Sequence, residues 1–178
     1  LYEKGYIDED NQVTLFGKKL FEDNQPENAI ILAAGYGMRM VPINTEIPKG
    51  LLEVRASILI ERIIEQLYEV GVKKITLVVG FMKERYEYLI DKYGITLKIN
   101  MDYAIKNNLY SFEKAIEQLG NTYIVPCDIY CKENPFAKQE LFSWYMVTDK
   151  KKISSDVRIN RKRELIRVKN DEFGNDML

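Results

Sequence analysis

Six consecutive apolar residues, Ala29-Ile30-Ile31-Leu32-Ala33-Ala34, run without a polar break into Gly35-Tyr36-Gly37. A strand with one wet face alternates apolar and polar side chains. A short continuous run reads instead as a strand covered on both faces, as in a parallel sheet. Segments that can cover such a sheet follow. Residues 58–70 place Leu59, Ile63, Leu67 and Val70 on one helical stripe, with Glu61, Arg62, Glu65 and Gln66 elsewhere, and Gly71 stands where a helix C-cap is expected. Strands are predicted at 74–80, 95–99 and 122–126, and helices at 82–93, closed by Gly94, and at 109–119. This alternation predicts a doubly wound, mostly parallel α/β sheet with right-handed crossovers. Ligands of such sheets bind at the carboxyl ends of the strands.

Composition narrows the chemistry. The 178 residues carry 26 Lys plus Arg against 27 Asp plus Glu, a net charge of -1, which gives no electrostatic reason to expect nucleic acid or an anionic membrane as the main partner. No apolar run approaches the ~20 residues that span a bilayer, and no signal-peptide pattern opens the chain. Cys127 and Cys131 have no other Cys or His to complete a zinc site, so they read as reduced thiols of a cytoplasmic protein. With no His in the sequence, Ser-His-Asp and Cys-His nucleophile schemes are excluded. Catalysis would have to rest on carboxylates, basic side chains, backbone amides or a metal.

Residues 1–25 differ from the rest. A short strand at 5–8, a polar turn at 9–12, residues 13–15 and a helix at 16–22 resemble the wing end of a winged-helix domain; a hairpin packed on the main domain explains them equally well. Residues 24–28 read as a linker. The chain opens on Leu1 and stops at Gly174-Asn175-Asp176-Met177-Leu178, and is read as part of a longer protein.

The chemistry concentrates where strands end. In Leu32-Ala33-Ala34-Gly35-Tyr36-Gly37-Met38-Arg39-Met40 a buried strand empties into a loop with two glycines and an Arg. Glycines let backbone amides approach phosphate oxygens, and Arg39 adds a planar donor fork. A strand-exit turn would explain the glycines alone. Shortly afterwards comes Thr45-Glu46-Ile47-Pro48-Lys49-Gly50-Leu51-Leu52-Glu53-Val54. Together the two segments resemble the opening signature of the nucleotidyltransferase superfamily of nucleotide-sugar and CDP-alcohol synthases. The resemblance implies a Rossmann-like nucleotidyltransferase domain over 26–178, C-terminally incomplete. In it Leu32, Ala33, Ala34, Gly35 and Gly37 wrap a nucleoside triphosphate, and Arg39 and Lys49 neutralise charge on the α-phosphate and the departing pyrophosphate. Such transfer depends mostly on positioning and charge stabilisation, so no protein nucleophile is needed.

Asp128 ends the strand at 122–126, in Val125-Pro126-Cys127-Asp128. A carboxylate there is a natural Mg²⁺ ligand, the role the family gives an Asp in this place; a turn or N-cap Asp is the plainer alternative. The family's second metal carboxylate is not found, and Asp176 is explained equally well by a Gly-Asn-Asp turn. Asn107-Asn108-Leu109-Tyr110-Ser111 precedes and opens a helix, which Ser111 could cap. The segment also resembles the choline-phosphate cytidylyltransferases of bacterial phosphocholine decoration. That resemblance implies CTP and phosphocholine as substrates, with Asn107, Asn108 and Ser111 in the binding site. Some such proteins carry a choline-kinase domain as well.

A quaternary ammonium would be held by aromatic faces, for which Tyr130, Trp144 and Tyr145 are available, although residues 142–147 alternate like an ordinary strand. Lys150 to Lys152 and the basic residues from Arg158 to Arg163 read as solvated faces. One departure is plain: where the family usually has a Gly after Val54, this chain reads Arg55-Ala56-Ser57-Ile58. The expected activity is therefore Mg²⁺-dependent transfer of CMP from CTP to phosphocholine. The rivals are a sugar-1-phosphate nucleotidyltransferase and a nucleotide-sensing domain attached to a DNA-binding winged helix.

Overall fold

The structure, a computed structural model, describes residues 1–37, 45–105, 108–152, 155, 157–168 and 174–177, with the backbone alone at 108, 149–152 and 174–177. The chain divides into two units, Leu1–Leu141 and Phe142–Leu178.

In the first unit a 3-10 turn, Tyr2–Lys4, and an isolated antiparallel bridge between Ile7 and Val13 lead into α1, Leu15–Glu22. Thr14 caps α1: its Oγ1 accepts a hydrogen bond of 3.0 Å from the Gly17 N–H, satisfying one of the free donors of the first turn. Next come β1 (Asn28–Ala33), the short hairpin strands β2 (Glu53–Val54) and β3 (Ser57–Ile58), α2 (Leu59–Glu69) and β4 (Lys74–Val79). They are followed by α3 (Tyr88–Tyr93), β5 (Thr96–Ile99), α4 (Asn108–Glu113) and β6 (Thr122–Pro126).

β1, β4, β5 and β6 form one parallel sheet in the order β5-β4-β1-β6. Its two faces explain the unbroken apolar run. Ala29, Ile31 and Ala33 pack with Ile60, Ile63, Ile64 and Leu67 of α2 and with Leu89 of α3, whereas Ile30 and Ala34 pack on the other face with Val78, Ala115 and Phe112 of α4. Successive side chains of a strand point to opposite faces, so a strand covered on both must be apolar at every position. The doubly wound sheet read from the sequence is thus present. Its order reverses at β1, which has β4 on one side and β6 on the other, and this is where such sheets bind ligands.

Three elements depart from expectation. The helix over 82–93 is delayed: Phe81 N–H still pairs with the Ala34 carbonyl at 3.0 Å, and Met82 has φ 50, which no helical residue adopts. A 3-10 turn, Lys83–Tyr86, therefore precedes α3. The helix over 109–119 is split into α4 and a 3-10 turn, Ile116–Gln118. The break presses Ala115 onto the sheet and lets Gln118 accept hydrogen bonds from Asn28 Nδ2 at 2.9 Å and from Thr76 Oγ1 at 2.5 Å.

The strand over 142–147 is the third. In the second unit β7 (Val147–Lys152) begins only at Val147, where its antiparallel partner β10 (Gly174–Met177) ends, and β8 (Val157–Ile159) pairs with β9 (Leu165–Arg167). Among the described residues no helix is long and apolar enough to cross a membrane.

Candidate active site

The loop after β1 is tied on both sides. The Leu32 carbonyl accepts a hydrogen bond from the Cys127 N–H at 3.1 Å, and the Ala34 carbonyl accepts from the Phe81 N–H at 3.0 Å. Leu32, Ala33 and Ala34 are therefore fixed between the ends of β4 and β6, with both alanines buried. Gly37 has φ +69, the left-handed region that glycine occupies without strain. Gly35 is different. Its φ is not in that region, and a β-carbon there would meet nothing within 4 Å among the described residues, so neither conformation nor local packing asks for glycine. Close approach of a ligand to the backbone would. Gly80, just past β4, has the opposite reason: a β-carbon would lie 2.8 Å from the Ala34 carbonyl oxygen and 2.7 Å from Tyr103 Cβ. The rings of Tyr36 and Phe81 meet edge to face at 4.4 Å beside this loop.

Lys49 opens a 3-10 turn, Lys49–Leu51, entered from the extended Pro48. Pro48 cannot donate a hydrogen bond and disfavours a helical residue before it, so the turn starts abruptly. Gly50 seats this turn against the end of β6, since a β-carbon on it would come within 3.1 Å of both Cys127 Cβ and Tyr86 Oη. Cys127 is buried, and burial pushes its thiol up to about 12, so it serves as packing. The Tyr86 hydroxyl is also buried and makes no well-formed hydrogen bond among the described residues.

The consequence is that Lys49 and Asp128, 79 residues apart in sequence, meet as an ion pair, Nζ to Oδ2 at 2.8 Å. The two side chains are 20% and 37% exposed, so their attraction is worth no more than about 1 kcal/mol. Backbone packing brings the pair together, which leaves Lys49 free to change partner at small cost.

Among the described residues no group of three or more His, Cys, Asp and Glu side chains could hold a metal ion, so Asp128 belongs to no protein-only metal cage. That donor set still suits Mg²⁺, which keeps several waters and takes one or two carboxylates together with substrate phosphates. Asp176 lies in β10, within the second unit, where the backbone alone is described.

Other sequence candidates are dispersed. Arg39 and Asn107 lie outside the described residues, and Asn108 begins α4 with its backbone alone described. Ser111 is buried in α4, and its Oγ accepts a hydrogen bond of 2.9 Å from Asn100 Nδ2. Asn100 is itself fully buried just after β5; its Oδ1 accepts from the Asp102 N–H at 3.0 Å, and its own N–H donates to the Val79 carbonyl at 2.8 Å. An Asn directly after a strand, before Met101-Asp102, is the sequence signal for this turn-former. Tyr130 faces two guanidinium groups, Arg62 at 5.0 Å and Arg55 at 5.9 Å from its ring centre, so its ring is already engaged with cations. Trp144 and Tyr145 line an open cavity of about 910 Å³ within the second unit, beside Ile159 and Glu164.

Residues 29–144 match the MobA-like NTP transferase domain family. The choline-phosphate cytidylyltransferase of Streptococcus pneumoniae is 43% identical over 117 residues, which are 66% of this chain and 51% of that protein. The 2-aminoethylphosphonate cytidylyltransferase of Lancefieldella rimae is 41% identical over 105 residues, 57% of this chain and 43% of that protein. The chain therefore spans about half the length of these curated relatives. A solved structure of the CTP:phosphocholine cytidylyltransferase from Streptococcus pneumoniae superposes with a TM-score of 0.72 at 31% identity, covering 85% of this chain and 68% of the other. With the parallel sheet, its order reversal at β1 and the glycine loop at that point, these matches show that the chain belongs to the MobA-like NTP transferase family.

Proposed function

We propose that the chain forms the nucleotide-handling part of a cytidylyltransferase that transfers CMP from CTP to phosphocholine, giving CDP-choline and pyrophosphate. The observation that carries this reading is the Lys49–Asp128 pair beside the glycine loop, in a chain 43% identical to a choline-phosphate cytidylyltransferase over the matched region.

In this reading the amides of the Ala34–Gly37 loop receive the triphosphate. An oxygen of phosphocholine attacks the α-phosphorus; the bond to the bridging oxygen of the β-phosphate breaks, and pyrophosphate leaves with that electron pair. The attacking oxygen is already ionised, so no general base is required, in keeping with a sequence that has no His. Lys49 exchanges Asp128 for phosphate oxygens and offsets charge on the departing group, and Arg39 shares that role. Asp128, released from Lys49, would hold Mg²⁺, whose chemistry when bound is to neutralise phosphate charge and orient the leaving group. Asn107 and Asn108 contact base or acceptor, and Ser111, buried on Asn100, anchors the helix that begins at Asn108.

One observation favours a second acceptor. The relative that is 41% identical is named for 2-aminoethylphosphonate, which joins a cationic nitrogen to a phosphorus oxyanion through two carbons, as phosphocholine does through two carbons and an ester oxygen. The test is pyrophosphate release by the protein with Mg²⁺, each of the four ribonucleoside triphosphates, and phosphocholine, 2-aminoethylphosphonate or a sugar-1-phosphate. Release confined to CTP with phosphocholine supports the reading. Preference for the phosphonate moves the acceptor, and release only with sugar phosphates overturns the cytidylyl assignment. The winged-helix reading of residues 1–25 also remains a proposal, which a DNA mobility-shift assay on the protein tests: absence of a shift would count against it.

A further inference from the structure

Immediately beyond Asp128 the chain runs into a segment, 129–134, that belongs to no strand or helix. Backbone carbonyls in such a segment must find donors elsewhere. Three consecutive ones find them on α2. Arg62 donates from Nε to the Cys131 carbonyl at 2.9 Å and from Nη2 to the Lys132 carbonyl at 2.5 Å. Gln66 Nε2 donates to the Cys131 and Glu133 carbonyls, each at 3.3 Å. In return, Asn134 Nδ2 donates to the Gln66 carbonyl at 2.7 Å and to Glu69 Oε2 at 2.8 Å. The Arg62 guanidinium also lies over the Tyr130 ring.

Gln66 is 5% exposed, a polar side chain buried on a helix whose other buried residues are Leu59, Ile60, Ile63, Ile64 and Leu67. Burying an amide there is tolerable because carbonyls of the 131–133 segment use it. Asp128 is thus fixed from two directions. Upstream, β6 and the Cys127–Leu32 hydrogen bond hold it to the sheet; downstream, three to five residues on, α2 holds the chain by its carbonyls.

We infer that Arg62 and Gln66 are positioning residues for Asp128: α2 sets where the carboxylate sits, and with it the affinity of the site for a divalent cation. The inference rests on the proposed cytidylyltransferase reading, in which Asp128 holds that cation. It differs from a merely stabilising role in what must change when the clamp is loosened. Substitutions next to metal ligands cost about 10- to 100-fold in metal affinity, and Arg62 acts at one further remove. Arg62→Ala is therefore expected to weaken divalent-cation binding by roughly 3- to 10-fold. Gln66→Met, which keeps volume and loses only the longer hydrogen bonds, should weaken it by about 2- to 3-fold.

The experiment titrates the protein with Mn²⁺ in the presence of CTP, reads free Mn²⁺ by electron paramagnetic resonance, and runs thermal melts alongside. The inference expects the Mn²⁺ dissociation constant to rise in both variants, at a temperature where both are folded, and expects CTP binding without metal to stay near that of the parent. Lower melting temperatures with an unchanged Mn²⁺ constant in both variants would make the clamp structural only and overturn it. Should Arg62→Ala not fold, Gln66→Met decides alone by the same reading. A parent protein that binds neither Mn²⁺ nor CTP would overturn this inference together with the functional reading beneath it. Mn²⁺ and CTP binding by the parent with unshifted variants would overturn the inference alone.

Discussion

Gly80→Ala is the substitution whose outcome follows most directly from the geometry. The added methyl would lie 2.7 Å from Tyr103 Cβ and 2.8 Å from the Ala34 carbonyl oxygen. Comfortable nonbonded contacts begin near about 3.5 Å, so the methyl is short by roughly 0.8 Å on two sides. Neither neighbour can yield by turning a side chain, because one is backbone and the other is the root of an aromatic residue. The Ala34 carbonyl must retreat from the Phe81 N–H that it binds at 3.0 Å, which loosens the glycine loop at its base. Overpacking by one methyl costs about 1–3 kcal/mol. Weakening the hydrogen bond adds about 1 kcal/mol, and the stiffer unfolded chain offsets about 0.4–1 kcal/mol. A net loss near 2 kcal/mol should lower the melting temperature by about 4–8 °C and weaken CTP binding with it. Gly35→Ala is the control, since its methyl meets nothing within 4 Å among the described residues. It should leave stability within about 0.5 kcal/mol of the parent while still weakening CTP binding, because there the methyl intrudes on ligand space. Circular-dichroism melts and calorimetric CTP titrations of both variants read the contrast. A Gly80→Ala protein melting within about 1 °C of the parent, with CTP affinity intact, would refute the packing argument.

Three further outcomes follow from single features. Arg55 and Ala56 occupy the two central positions of the β2–β3 hairpin with φ 53 and φ 59, so Ala56→Gly should relieve left-handed strain and stabilise the protein by about 1 kcal/mol in urea unfolding; no gain would show that the turn is not strained. Because the buried Tyr86 hydroxyl has no well-formed hydrogen bond among the described residues, Tyr86→Phe should be neutral or stabilising by up to about 1 kcal/mol, and a loss of that size in the same assay would mean the hydroxyl is satisfied, the Gly50 backbone beside it being the nearest candidate. Burial holds the Cys127 thiol at about 12 rather than near 9, so its contribution to stability is complete below pH 9 and is lost as pH rises toward 12. Accordingly it should resist a thiol-exchange reagent near pH 8 until the protein unfolds, and rapid labelling of the folded protein would contradict its burial.

Elements set by local pattern were legible. The apolar run of β1, the stripe of α2 and the left-handed C-caps at Gly71 and Gly94, with φ 92 and φ 65, all follow from periodicity and glycine chemistry. What the pattern missed depends on partners distant in sequence. Nothing local in Met82 announces φ 50; the tie between Phe81 and Ala34 delays the helix. The alternation at 142–147 looked like a strand, yet pairing with β10 begins only at Val147. Around the candidate site, residue type and place in the sequence single out Lys49 and Asp128 separately, and the fold brings them to 2.8 Å. Gly80, Asn100 and the Arg62–Gln66 clamp are not legible in the sequence, because the partners that give them their roles, Ala34, Ser111 and the 131–133 carbonyls, lie 11 to 70 residues away and only the fold reveals them.

We propose that Lys49 and Asp128 belong to a nucleotidyl-transfer site. Phosphorus-31 NMR of the protein with Mg²⁺, CTP and phosphocholine tests it most directly, because substrate, product and pyrophosphate phosphorus resonances are seen together. The CTP and phosphocholine signals should fall, pyrophosphate and a diphosphate diester should grow equally, and neither change should occur with Asp128→Asn or Lys49→Met. Transfer that proceeds undiminished in both variants would contradict it.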